Sequence, residues 1–119
     1  MNKHPASQLL GLIVAASVGG ICLPALADSP NEHADGIAVY TKWCAPCHAP
    51  GIIHPGTSAL GAKYQGIKSG VILEWTDLPA SYVEYMVRHG MSVMPHFRKT
   101  EISDSELKAL AAYLSRNTP

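Results

Sequence analysis

Two cysteines and a histidine lie close together in the first half of the chain, in the order Cys44, Cys47 and His48. Positions i, i+3 and i+4 share one face of a helical or turn-like segment, so these three side chains can meet a single ligand. The pattern Cys-x-x-Cys-His is the attachment signal for c-type haem, whose two vinyl groups take up the two thiols. The sequence therefore predicts one covalently bound haem c, with His48 as the proximal ligand of its iron.

Thiol redox chemistry and zinc binding are the other common uses of a Cys-x-x-Cys pair. A thioredoxin-like dithiol would use Cys44 as a nucleophile of low pKa within a βαβ pattern, and no strand-rich pattern surrounds the motif. A zinc site needs two further ligands. The remaining cysteine, Cys22, lies in a segment that we expect to be removed, and His54 has no partner at zinc spacing. We therefore favour haem attachment over both alternatives.

The sixth coordination position of the iron has its candidate ligands in one loop, at Met91, Met94 and His96. We favour Met94, because Pro95 limits the conformations of the chain directly after it. Met91 could instead reach the iron or pack against the haem, and His96 would give His/His coordination. His/Met ligation raises the reduction potential relative to His/His, which suits an electron acceptor.

Two further residues are candidates for contacts with the bound haem. The carbonyl of Pro55 could accept the Nδ1 proton of His48 and so orient the imidazole, although Pro55 could equally be an ordinary turn residue. The indole N–H of Trp75 could donate to a haem propionate, but a packed aromatic side chain is the commoner role. We include both residues among the predicted cofactor-binding positions and favour the packing role for Trp75.

Residues 1–27 have the features of a secretory signal peptide. Lys3 lies in a short basic start, positions 9–23 are apolar or small, and the small residues at positions 25–27 form an A-x-A cleavage site. The apolar run is short for a membrane anchor, which needs about 20 apolar residues. We expect a mature chain that begins at Asp28, with no stable membrane span. Because haem c is joined to its protein outside the cytoplasm, we expect this protein in a bacterial periplasm.

Residues 28–119 then form one small domain, and a covalently held haem would help to stabilise a core of this size. With nine basic and nine acidic residues in the whole chain, the charge balance gives no indication of nucleic-acid binding.

Apolar spacing and end signals predict helices over 32–43, 79–89 and 103–116, with capping boxes at Ser81–Glu84 and Ser103–Glu106. We predict loops over 49–60 and 91–100, and one short helical turn over 71–75.

The mature chain resembles a class I cytochrome c over essentially its whole length. The resemblance rests on Gly36 and Tyr40 in the first helix, the haem motif at 44–48, Pro55-Gly56, Met94-Pro95, and Tyr113 in the last helix. It implies an all-α fold of three to four helices around one covalently bound haem. It also implies that the first and last helices cross at the glycine and the aromatic residues, and that His48 and Met94 are the axial ligands.

The stretches 87–90 and 94–104 are similar to a narrower group, the small cytochrome subunits of flavocytochromes of the p-cresol methylhydroxylase and eugenol hydroxylase types. In that group a flavoprotein oxidises a para-substituted phenol and passes electrons to the cytochrome. The resemblance implies an electron carrier with no catalytic residues of its own and a flavin-dependent dehydrogenase as its partner. The alternatives are a general shuttle for a quinoprotein dehydrogenase or a terminal oxidase, and a haem sensor or small haem enzyme with an open distal site.

Overall fold

Helices account for all the regular structure of residues 30–119, which are the residues that the computed structural model describes. The signal peptide predicted for residues 1–27 lies outside them. The elements in chain order are α1 (Pro30–Val39), a π-helical turn (Tyr40–Cys44), α2 (Ala45–His48), α3 (Pro55–Tyr64), a 3₁₀ turn (Ile72–Glu74), α4 (Ala80–His89) and α5 (Asp104–Ser115). The first three run on without a break, so the described residues form four helices and no sheet, which confirms the predicted fold class.

The first helix continues through the haem motif, although Pro46 predicted that it would end near Cys44. A proline inside a regular α-helix clashes with the carbonyl four residues before it. Here the turn before Pro46 is π-helical, and the N–H of Ala45 donates to the carbonyl of Tyr40, five residues back. Pro46 therefore falls in the first turn of α2, where its missing N–H costs little.

Helix α3 begins inside the segment that we predicted to be a loop, 49–60. Pro55 and Gly56 were interpreted as turn residues, but Pro55 occupies the first turn of the helix. Thr57 is buried, and its hydroxyl donates to the carbonyl of Ala49 at 2.8 Å, which fastens the new helix to the end of α2. The prediction of a loop was therefore correct only up to His54.

Helix α1 crosses α5 at Gly36, as the resemblance implies. A Cβ atom on Gly36 would lie 2.6 Å from Cβ of Tyr113 and would collide with the carbonyl of Ala109. The ring of Tyr113 lies 5.9 Å from that of Tyr40, so the aromatic residues pack beside the crossing. This contact fixes α1 against α5 and leaves the haem motif at one end of the pair.

The two predicted capping boxes had different outcomes. At the start of α5, the Ser103 hydroxyl accepts the N–H of Glu106, and the Glu106 carboxylate accepts the N–H of Ser103, as predicted. The box predicted at Ser81–Glu84 is absent, because α4 has Pro79 as its N-cap and Ser81 already lies within the first turn. The short helical turn predicted over 71–75 is present as the 3₁₀ turn.

Candidate haem site

The helices and the segments between them enclose an apolar cleft of about 700 Å³, its open mouth included. Cofactor pockets are usually lined mainly by apolar side chains, as this cleft is. Its walls come from the haem motif, from α3, α4 and α5, and from the segments before and after α4. The lining residues are Cys44, His48, Leu60, Lys63, Tyr64, Ile72, Trp75, Leu78, Tyr82, Val83, Met86, Val87, Met91, Met94, Leu110 and Leu114.

The two cysteines of the motif differ in environment. Cys44 is buried and lines the cleft, whereas Cys47 is exposed and is not among the lining residues. Burial, and to a smaller extent the neighbouring Cys47, raise the pKa of the Cys44 thiol to about 12. A thiol of that pKa is protonated at neutral pH and is a poor nucleophile, so the structure gives no support to a thioredoxin-like dithiol.

The imidazole of His48 lines the cleft and is half-buried. Burial lowers its pKa, which favours the neutral form that binds metals. Its Nδ1 atom is buried and has no hydrogen-bond partner among the described residues. The bond that we predicted from Nδ1 to the carbonyl of Pro55 is therefore not formed in this structure, and Pro55 itself does not line the cleft.

Gly56, rather than Pro55, is the residue that makes room for the histidine. A Cβ atom on Gly56 would lie 2.7 Å from Cε1 and 2.9 Å from Nδ1 of His48. The edge of the ring that carries Nδ1 thus lies against the start of α3, and Nε2 is the nitrogen available to an iron in the cleft. The sequence showed the Pro-Gly pair, but only the packing reveals that its glycine is the part required by the site.

Tyr40 supports the same histidine through the backbone. Its hydroxyl donates to the carbonyl of His48 at 2.9 Å, eight residues along the helix. Burial, followed by the nearby Cys44 and Tyr113, raises the pKa of Tyr40 to about 12, so the phenol keeps the proton that it donates. Tyr40 was predicted as a packing residue of the helix crossing, and its spacing of four residues from Cys44 already placed it on the face of the motif.

Met94 and Met91 both line the cleft on the side of α4, while His96 is exposed and is not among the lining residues. Met94 is half-buried, whereas Met91 is 50% exposed. The N–H of Met94 donates to the carbonyl of Met91 at 2.9 Å, and the N–H of Met91 donates back at 3.2 Å. The two methionines therefore stand at the two ends of one tight turn, with Ser92 at a positive φ of 54° inside it.

Trp75 packs against the cleft as a buried side chain. Its indole N–H donates to the carbonyl of Ser69 at 2.7 Å, and its ring meets that of Tyr64 edge to face at 5.5 Å. The ammonium of Lys68 lies 4.0 Å from the centre of the Trp75 ring. With the N–H already bonded, the structure supports the packing role of Trp75 over the predicted contact with a propionate.

The residues around this cleft fit a covalently held haem. The Cys44 thiol, the His48 imidazole and the Met94 thioether all border one apolar cavity, and burial favours the neutral, ligating form of the imidazole. Residues 30–119 contain no group of three or more His, Cys, Asp or Glu side chains placed to hold a metal ion by themselves, so the zinc alternative gains no support. Within the same residues, no helix is both long and apolar enough to span a membrane.

Comparison with known proteins agrees with this geometry. The family model described as cytochrome C oxidase, cbb3-type, subunit III matches residues 31–114. The chain is also 33% identical, over 105 residues, to the 4-cresol dehydrogenase [hydroxylating] cytochrome c subunit of Pseudomonas putida. That alignment covers 88% of this chain and 73% of the relative. The chain therefore belongs to the cytochrome c family, as an electron carrier of the kind that holds haem c covalently.

Proposed function

We propose that the protein is a periplasmic one-electron carrier that holds one haem through Cys44 and Cys47 and ligates its iron with His48 and Met94. The observation that supports this most directly is that His48 and Met94 line the same apolar cleft although they are far apart in the sequence. A bound haem would supply reversible one-electron exchange at its iron. The chain would supply the two iron ligands, the His48 imidazole and the Met94 thioether, together with a largely apolar lining.

The residues in and beside the cleft have distinct roles in the proposed function. Thioether linkages at Cys44 and Cys47 would hold the porphyrin edge, while burial keeps the His48 imidazole in its ligating form. Tyr40 positions the backbone of His48 through its hydrogen bond, and Gly56 positions the ring by direct contact. Met94, as the second iron ligand, would raise the reduction potential above that of a His/His site, which suits acceptance of electrons from a reduced flavin.

The partner that we propose is a flavin-dependent dehydrogenase that oxidises a phenol. The relative in Pseudomonas putida is, by its name, the cytochrome c subunit of a 4-cresol dehydrogenase. A specific docking surface of low polarity also fits the exposed apolar residues, since Ile52 is 91% exposed and Val93 is 86% exposed. Because the chain has no net formal charge, steering by a strong overall charge is not indicated.

Stopped-flow mixing tests the partner. The oxidised cytochrome would be mixed with a flavoprotein phenol dehydrogenase and, separately, with a quinoprotein alcohol dehydrogenase, each reduced beforehand by its own substrate. Fast haem reduction by the flavoprotein alone, with stable co-purification of the two proteins, is the expected result. Fast reduction by the quinoprotein alone would be consistent with an electron carrier but would contradict the proposed phenol-oxidising partner.

A general shuttle is the second candidate, because the matching family model is named after a subunit of a terminal oxidase. In that case the reduced cytochrome should be oxidised rapidly by an oxidase and should form no stable complex with a flavoprotein.

Export and haem content are tested together by the intact mass of protein released from the periplasm. We expect the mass of a chain beginning at Asp28 plus one haem, and a mass that retains residues 1–27 would contradict the export proposal.

A further inference from the structure

The segment between α4 and α5 carries Met94 but is mostly exposed and has little regular structure. Met94 and Phe97 pack against the core, and Ile102 at the end of the segment is fully buried. The N–H of Phe97 donates to the carbonyl of Val87 at 2.8 Å, and the Phe97 ring meets Trp43 edge to face at 5.8 Å. Between Met94 and Ile102, the Phe97 bond is the one backbone hydrogen bond to α4 among the described residues, so side-chain bonds from α4 would restrict opening of this exposed stretch.

Arg88, in the last turn of α4, supplies those contacts. Its Nη1 atom donates to the carbonyl of Phe97 at 3.1 Å and to the carbonyl of Ile102 at 2.9 Å. Its Nη2 atom donates to the Asp104 carboxylate at 2.9 Å. The Arg88 side chain is only 19% exposed, so these bonds are partly shielded from water. One guanidinium thus binds Phe97 and Ile102, which lie on either side of the turn after Met94. It also binds Asp104, the first residue of α5.

We propose that Arg88 is a positioning residue for the distal ligand, and that it acts through its two bonds to backbone carbonyls. The proposal rests on the function proposed above, in which Met94 ligates the iron. Hydrogen bonds from a charged donor are stronger than those between neutral groups, and a guanidinium can meet several acceptors in one plane. By fixing Phe97 and Ile102 relative to α4, Arg88 restricts the arc along which Met94 can move away from the cleft.

The ion pair with Asp104 has a different part in the proposal. Asp104 is an exposed partner, shared with Lys99 at 2.7 Å, and pairs of this kind contribute little to stability. Removing the carboxylate should leave both carbonyl bonds of Arg88 in place. Asp104→Asn is therefore a matched control for Arg88→Met, which keeps an unbranched apolar stem but removes every donor.

The test uses the holoprotein with covalent haem. Wild type, Arg88→Met, Arg88→Lys and Asp104→Asn would be compared by the sulfur-to-iron charge-transfer band, the rate of carbon monoxide binding to the reduced protein, and amide hydrogen exchange at Met91, Met94 and Phe97. In Arg88→Met we expect a weakened band and faster exchange at these amides. Since a minor open state usually holds about 0.1–10% of molecules, we expect carbon monoxide binding to accelerate by about tenfold. Arg88→Lys, whose single ammonium ends a side chain one atom shorter, should fall between Arg88→Met and wild type.

Each contrary outcome has a defined meaning. If Asp104→Asn matches Arg88→Met, the ion pair positions the loop and the proposal is overturned. An unchanged band and unchanged carbon monoxide binding in both Arg88 variants would also overturn it. If the wild-type protein itself lacks the band and binds carbon monoxide freely, Met94 is not the ligand, and the failure belongs to the proposed function. Should Arg88→Met not fold, Arg88→Lys and Asp104→Asn still separate the carbonyl bonds from the ion pair.

Discussion

Gly56 lies directly against the imidazole of His48, at a distance that admits no side chain. An added Cβ would be 2.7 Å from Cε1 of the ring and 2.8 Å from the carbonyl of Cys47. Both neighbours belong to the segment that presents the proximal histidine, so neither can move without changing the direction of the ring. The first turn of α3 therefore sets the position of His48 by contact rather than by the hydrogen bond predicted from Pro55.

The Gly56→Ala variant should disturb the haem site. We expect the new methyl group to displace His48 or the start of α3, with a lower yield of haem-loaded protein and a loss of stability of about 1–3 kcal/mol, as for other overpacked sites. Gly61→Ala is the matched control in the same helix, because a Cβ there meets nothing within 4 Å. It should be neutral or stabilising by about 0.5–1 kcal/mol. Haem content and denaturant unfolding of both variants provide the measurement, and equal behaviour of the two would contradict this role for Gly56.

Substitution of the distal methionine should expose the iron. Met94→Ala should abolish the weak sulfur-to-iron charge-transfer band, open the reduced protein to carbon monoxide and lower its reduction potential, since the thioether is lost. Met91→Ala should have a much smaller effect, because Met91 stands at the more exposed end of the turn. Optical spectra and a potentiometric titration of both variants show which methionine ligates the iron. Reversed results would assign the ligand to Met91.

The helix crossing at Gly36 should tolerate no side chain. In Gly36→Ala the methyl group would meet Tyr113 and the backbone of Ala109, so α1 and α5 must separate slightly. We expect a loss of about 1–3 kcal/mol in the free energy of unfolding. The neighbouring exposed residue offers a control, and Asp35→Ala should change stability by less than about 0.5 kcal/mol. Denaturant unfolding followed by helical circular dichroism measures both, and an unchanged midpoint in Gly36→Ala would show that the crossing relaxes without cost.

Acidification should remove a contribution of Asp104 to stability. Hydrogen bonds from Lys99 and then from Arg88 hold the pKa of the Asp104 carboxyl below its usual range. A group whose pKa is lower in the folded state stabilises the fold above its unfolded pKa, and this contribution disappears as the pH falls through the folded pKa. We expect wild type to melt slightly above Asp104→Asn at pH 7, with the difference vanishing in strong acid. Melting curves at several pH values test this, and a difference that persists unchanged below the folded pKa would refute it.

The sequence by itself determined the fold class and indicated haem c as the cofactor. The spacing of Cys44, Cys47 and His48 is a local chemical signal that does not depend on distant parts of the chain. The crossing at Gly36 and Tyr113 was predicted through the resemblance to class I cytochromes c, and the cap at Ser103 was predictable because a capping box acts through short-range hydrogen bonds.

Only the tertiary structure decided how the site is assembled. Proline and glycine at the start of α3 are equally compatible with a turn and with a helix start, and the buried Thr57 contact distinguishes the two. Similarly, the packing of Trp75 and the reach of Arg88 to Phe97 and Ile102 depend on which backbone carbonyls come near after folding. A backbone carbonyl is present at every residue, so the sequence carries no signal for which of them will meet a given side chain.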